Sequence, residues 1–220
     1  MRKFVSISSL AAVMLSAALC PVSPARAAED LTGLVHSLKQ GGYALVVRHG
    51  ATSSAQSDVY PLDYNDMTRQ RQLSDEGRDT ARQVGAAFAK LGIPIGAVYS
   101  SRLNRAVETA KLISRKEVVP KEELNDSGMG SASAMAGNAG GGSASHGRAL
   151  KALAAQAPMP GTNTLIVTHK TNIQDAFGKD WADVREGETS VFKIDGDGGL
   201  TPVARVQAGQ WVAAAQNTVN

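Results

Sequence analysis

The sequence predicts an α/β fold, a mostly parallel sheet flanked by helices on both faces. Three observations predict it. Tyr43–Val47, Ile95–Ser100 and Thr164–Thr168 are short, mostly apolar runs of the kind that form strands buried on both faces. The segments between them carry apolar residues at three- and four-residue steps, the spacing of helices that cover a sheet. Glycine and proline punctuate the boundaries, at Gly41-Gly42, Gly50, Gly92, Pro94, Pro158 and Pro160. The chain has 220 residues, which suits one domain with a sizeable core.

That domain is expected over residues 28–220. Residues 1–27 are set apart from it. Arg2 and Lys3 form a basic start, Phe4 to Leu19 is mostly apolar and small, and Ala25-Arg26-Ala27 fits the A-x-A cleavage pattern. The pattern predicts a cleaved secretory signal peptide, hence a periplasmic or secreted protein. The apolar run is interrupted by serine and short of the ~20 apolar residues a spanning helix wants. Cys20 follows Leu19, where a lipid-anchor signal wants a small residue. No later stretch is apolar enough to span a bilayer, so no stable membrane anchor is expected. Cleavage removes three of the 23 Lys and Arg and none of the 20 Asp and Glu, and the formal +3 falls to near zero. The basic balance is then no argument for a nucleic-acid partner. Cys20, the only cysteine, leaves too, which excludes disulfide and thiol chemistry from the mature chain.

Leu31, Leu34, Val35 and Leu38 give a first helix that Gly41-Gly42 ends, with His36 off its stripe and exposed. The Tyr43–Val47 strand follows, then Ala51–Arg71, polar and irregular, read as a long loop beside the end of that strand. Ser74 caps the next helix, with Asp75 and Glu76 in its first turn and Ala81, Val84, Phe88 and Leu91 facing the core. After the Ile95–Ser100 strand, Ser100 or Ser101 is expected to cap a third helix. Its buried face is Leu103, Ala106, Val107, Ala110 and Ile113. Arg105 lies off that face, where most helical arginines are solvated. Val118-Val119 is a brief strand, followed by Leu124-Asn125-Asp126. Ser127–Gly147, almost wholly Gly, Ala, Ser and Asn, is read as a flexible loop with His146 incidental. Ala149–Ala157 is a weak helix. Beyond the Thr164–Thr168 strand, Ile173, Ala176 and Phe177 predict a helix. Ser190–Ile194 and Leu200–Val206 form a hairpin around Asp195–Gly199. Trp181 and Trp211 are assigned to packing.

The chemistry gathers at strand ends. Arg48-His49, Arg105 and His169 fall at or just beyond the carboxyl ends of three strands, and Asp126 follows a fourth. In a parallel sheet those ends share one edge, where ligands of open α/β sheets bind. Two arginines suit a phosphate or carboxylate. Fixed cations stabilise a transferring phosphoryl group, an imidazole can accept it covalently, and a carboxyl group can protonate the leaving oxygen.

These residues resemble a family. V-V-R-H-G-A-T, S-S-R-L-N-R-A-V-E-T-A and L-I-V-T-H are similar to the signature segments of the histidine phosphatase superfamily, also called phosphoglycerate mutase-like. L-S-D-E-G-R-D-T-A-R is similar to the family's helix after the first loop. The resemblance runs from about Tyr43 to Glu188. It implies a three-layer α/β/α domain over residues 28–220, with His49 as the nucleophile that becomes phosphohistidine. Arg48, Arg105 and His169 take the places of the phosphate pocket. Arg105 does so, and Arg102 does not, because Arg105 precedes Ala-x-x-Thr. Asp126 occupies the slot where mutase-like members carry a glutamate after Leu-Asn. Lys170 and Thr171 replace the Gly-Gly often found after the second histidine. The family uses no metal for this step, and no cofactor is expected.

Together these observations lead us to expect an exported, metal-independent phosphatase acting on a small-molecule or sugar phosphomonoester through His49, with Asp126 as general acid and base. The alternatives are a mutase of the same family, which the signal peptide argues against, and a binding protein that keeps the pocket without turnover. Two neighbouring guanidiniums are expected to favour the neutral form of His49. Should Asp126 not be the acid, Glu122, Glu123 and Glu188 are the candidates. Neither the substrate nor the oligomeric state is written in the sequence.

Overall fold

The computed structural model describes residues 24–127 and 141–218. Most of the expected signal peptide, Cys20 and the middle of the expected Ser127–Gly147 loop lie outside those residues. Among the described residues no helix is long and apolar enough to cross a membrane.

Six strands form one sheet: β1 (Tyr43–Arg48), β2 (Ile95–Ser101), β3 (Val119–Lys121), β4 (Asn163–Thr168), β5 (Thr189–Ile194) and β6 (Leu200–Val206). Their order is β3-β2-β4-β1-β5-β6. The first four run parallel, and β5 and β6 are antiparallel. Pro120 sits in β3, where an edge strand tolerates a missing donor.

Side-chain alternation divides the core in two. Leu45, Val47, Leu165 and Val167 point to one face, where they meet helices α1 (Pro24–Lys39), α2 (Asp75–Lys90) and α3 (Asn104–Ser114). Ala44, Val46 and Ile166 point to the other, against α4 (Gly141–Ala154) and α5 (Lys170–Phe177). The result is the expected three-layer α/β/α arrangement. A further helix, α6 (Ala208–Asn217), joins the first face and buries Trp211 edge-on against Phe88 at 5.1 Å. Trp181 stacks on Phe192 on the second face. Both tryptophans pack, as expected.

Local chemistry explains where elements begin. Ser74 caps α2, its Oγ accepting the Gly77 N–H at 3.1 Å. The third helix departs from expectation. Neither Ser100 nor Ser101 is its cap, because β2 continues through Ser101 and the cap position falls to Leu103. Val107 is half-buried rather than core. The C-terminal helix was not foreseen, since only Ala208, Trp211 and Ala215 mark its buried face. Its start is fixed by reciprocal side-chain caps between Gln207 and Gln210.

The largest correction is α4. It begins at Gly141, inside the stretch read as flexible loop, and ends at Ala154 rather than Ala157. Composition argued for disorder, but small side chains here allow close helix packing. A Cβ on Gly147 would stand 2.7 Å from the backbone of Asp175 in α5. Leu150, Leu153 and Ala154 then complete the second core.

Gly147→Val should therefore lower stability by roughly 1–3 kcal/mol through overpacking. Gly209→Ala, whose Cβ meets nothing within 4 Å, should change it by less than about 1 kcal/mol. Urea unfolding of both variants checks this, and equal effects would refute the close α4–α5 approach as the reason for Gly147.

Candidate active site

The parallel pairing of β1 and β4 sets the site. Arg48 is level with Thr168, so His49 and His169 leave the sheet side by side. The His49 N–H donates to the Thr168 carbonyl at 3.0 Å. The two imidazole centroids are 5.1 Å apart, and both rings are buried.

Nδ1 of His49 lies 2.8 Å from the carbonyl oxygen of Gly50. A carbonyl only accepts, so the proton of the neutral ring sits on Nδ1 and the lone pair on Nε2. The turn that holds this ring is pinned from two sides. The Gly50 N–H donates to Thr109 Oγ1 at 3.1 Å, and that hydroxyl donates to the Arg105 carbonyl at 2.7 Å. On the other side the Ser74 N–H donates to the Ala51 carbonyl at 2.9 Å. Gly77, with no Cβ, lets α2 approach Ala51 directly.

Burial holds His49 well below the usual imidazole range, with His169 and then Arg105 adding to the effect and Arg48 contributing least. His169 is lowered likewise, first by burial and then by Arg105, Arg71 and Arg48. The direction agrees with the expectation from two guanidiniums, but loss of solvation outweighs both.

Arg105 is the centre of the pocket and is fully buried. The base rate for a helical arginine is overturned here because the Ala51–Arg71 loop folds over the start of α3. Gln70 Oε1 accepts the Asn104 N–H at 2.8 Å, and Asp58 reaches in beneath it. Both Asp58 oxygens take Nη1 of Arg105, at 3.1 and 3.2 Å. Nη2 faces Asp126 Oδ2 at 3.5 Å.

Asp126 also lies 3.8 Å from Nδ1 of His169 and accepts the Thr171 hydroxyl at 2.6 Å. Thr171 thus fixes the carboxylate. Nε2 of His169 is 2.9 Å from Ser101 Oγ, while Nδ1 has no hydrogen-bond partner among the described residues. Asn125 ties this corner together, its Oδ1 accepting from Ser101 Oγ and the Arg102 N–H.

The structure therefore brings His49, His169, Arg105 and Asp126 together. Arg48 stands beside them with its guanidinium turned aside: Nη1 donates to the Val184 carbonyl at 2.9 Å and Nη2 pairs with Glu186 at 3.1 Å. Glu188 is buried and paired with Arg205, not aimed into the pocket. Glu122 reaches toward Arg102 at 3.7 Å instead. Sequence reasoning missed Asp58, Arg71, Ser101, Thr109 and Glu186. Thr109, the threonine of the Ala-x-x-Thr segment, carried a signal. Asp58 carried none. Among the described residues no group of three or more His, Cys, Asp or Glu is placed to hold a metal ion.

The family model of the histidine phosphatase superfamily (branch 1) matches residues 44–139. That stretch takes in Arg48, His49, Asp58, Arg105 and Asp126 and ends before His169. No curated protein matches the chain. Among solved structures, the phosphoserine phosphatase of Entamoeba histolytica in complex with 3-phosphoglyceric acid is similar at TM-score 0.55 and 17% identity. That match covers 77% of this chain and 98% of the other. The protein histidine phosphatase SixA complexed with tungstate is similar at TM-score 0.53 and 16% identity, covering 76% and 97%. Both likenesses are likenesses of fold.

Burying two neutral histidines has a consequence for stability. Each folded-state pKa lies below its unfolded value of about 6.5, so the unfolded chain binds more protons as pH falls. The stability from these rings is whole above about pH 6.5 and is lost progressively below it. Thermal unfolding of the native chain should fall across that acid range, and His49→Asn with His169→Asn should make the fall shallower. Parallel pH profiles would show that other groups govern it.

Proposed function

Residues 44–139 belong to the histidine phosphatase superfamily, and on that premise we propose that the chain hydrolyses a phosphomonoester through a phosphohistidine at His49. The observation that carries the reading is His49 itself, a buried neutral ring with its lone pair on Nε2, beside a second histidine and the buried Arg105 guanidinium.

In the proposed first step Nε2 forms a bond to phosphorus while the bond to the ester oxygen breaks. Arg105 holds the charge on the equatorial oxygens. Arg48 contributes from the side after turning from Val184 and Glu186. Ser101 gives its one proton to Asn125 Oδ1 and accepts from Nε2 of His169, so Nδ1 donates to the transferring group only once that ring has taken up a proton. Asp126, once it has taken up a proton with the entering monoester, passes it to the leaving oxygen, then removes one from the water that attacks the phosphohistidine and releases phosphate. No atom in this sequence passes through a metal. The neighbours in fold include phosphatases named for phosphoserine and for protein histidine, both phosphorylated biological groups, and a small or sugar phosphomonoester fits the same chemistry.

Rapid alkaline quench during turnover should find acid-labile phosphate on the peptide containing His49. His49→Ala should abolish the label, and label on His169 would reverse the roles. Arg105→Ala should cost ~100- to 1000-fold in turnover. Arg102→Ala should cost far less, because that guanidinium lies 4.3 Å over the Tyr64 ring at the surface. Asp126→Ala should damage alkyl phosphate hydrolysis more than nitrophenyl phosphate hydrolysis. A chain that binds phosphate and shows no turnover of any aryl ester is instead the binding protein.

We also propose export with cleavage after Ala27. Leu34, Val35 and Leu38, which α1 contributes to the core, all follow that point, so cleavage would leave these contacts in place. Intact-mass measurement of the exported protein should give a chain starting at or near Ala28. A chain that keeps its first 27 residues would overturn this.

A further inference from the structure

Arg105 is already occupied. Its Nη1 is held by both oxygens of Asp58, whose side chain is only 10% exposed. Asp58 is not a passing contact. Its Oδ1 also accepts the Arg71 N–H at 2.9 Å, and the Val59 N–H donates to the Arg69 carbonyl at 2.8 Å, which fastens the loop on either side. A phosphoryl group that takes Arg105 must share the guanidinium with this carboxylate or displace it.

The charges around the pocket sharpen the point. Three guanidiniums reach it: Arg105 from α3, Arg48 from β1, and Arg71 from the end of the loop, whose charge is felt by His169 and by Arg48. Three carboxylates face them: Asp58 and Asp126 on Arg105, and Glu186 on Arg48. Both histidines are neutral near pH 7, held so chiefly by burial. The Tyr60 phenol, at the rim, is pushed above its usual value by burial and by Asp58. A doubly charged phosphoryl group therefore enters a site with no net positive charge to receive it. A singly charged one brings half that burden. Its remaining proton can also be donated to Asp58, which turns a repulsion into a charge-assisted hydrogen bond.

We infer that Asp58 makes this pocket select the singly charged, still protonated form of a phosphoryl group. This rests on the reading of Arg105 as the guanidinium that holds phosphate. Asp58 is a specificity-determining residue of that site, set on the loop that follows β1. Protonation of a phosphate monoester's second oxygen occurs near pH 6, while burial holds His49 and His169 well below the usual imidazole range.

The test is calorimetric binding of inorganic phosphate to the whole chain at about pH 5 and about pH 8, on either side of the second phosphate pKa. For the native chain the dissociation constant should weaken at least ~10-fold at the higher pH, because like charges a few ångströms apart repel strongly in a buried site. Asp58→Asn keeps an oxygen for the Arg71 N–H and removes the charge. It should flatten the pH dependence to less than about threefold and bind more tightly than the native chain at pH 8. Asp58→Glu should retain the native slope, and Asp58→Ser serves as a second neutral variant should the asparagine form not fold. Equal slopes in native chain and neutral variants overturn the inference. If Arg105→Ala loses phosphate in that same experiment, the pocket reading stands without it. Phosphate bound equally well by Arg105→Ala rejects the pocket reading, and the inference falls with it.

Discussion

The site depends on the register of two parallel strands. With Arg48 level with Thr168, two histidines from sequence positions far apart meet at one edge of the sheet. Strand register is quantised: a slip of one residue would turn every side chain of β1 to the opposite face. Ala44 and Val46 pack one core and Leu45 and Val47 the other, so both cores resist such a slip. The hydrophobic layers on either side of the sheet therefore hold the distance between the imidazoles.

Around that pair the structure surrounds a buried cation with partners rather than leaving it open. An unpaired guanidinium in a dry interior is costly, and Asp58 and Asp126 offset the cost from two different loops. The histidines are treated in the opposite way, kept neutral by the same burial. Charge in this pocket is thus a matter of which groups are allowed to keep it. Thr109, Thr171 and Ser101 decide where those groups point through single hydrogen bonds.

Much of this was legible in the sequence. Apolar runs ending on Arg48-His49 and on His169 marked β1 and β4, because a strand buried on both faces has an unbroken hydrophobic text. Ser74 marked the start of α2 through its capping chemistry. Residues whose placement depends on long-range covering were not legible. By helical periodicity Arg105 reads as a surface arginine until the Ala51–Arg71 loop is laid over it, and only the resemblance of its Ala-x-x-Thr segment assigned it to the pocket. Asp58 sits in a loop with no periodicity at all. Gly141–Gly147 reads as a linker because composition counts what a segment can bury, whereas its helix is stabilised by how closely α5 can approach it. A capped helix of mostly small residues, Ala208–Asn217, fell below the contrast that periodicity needs.

The antiparallel course of β5 beside β1 has a practical side. It delivers the beginning of β5, not its end, to the reacting edge, and so brings in Val184 and Glu186 to anchor Arg48. The far end of β5 lies beside Gly42, at the opposite rim of the sheet, where the Ile194 N–H donates to the Gly42 carbonyl. Six residues of strand, ~20 Å at about 3.3 Å each, separate that rim from the chemistry. The Asp195–Gly199 turn is thus a natural graft point, where an affinity tag, a fluorophore or an inserted domain could be carried without entering the path of the substrate.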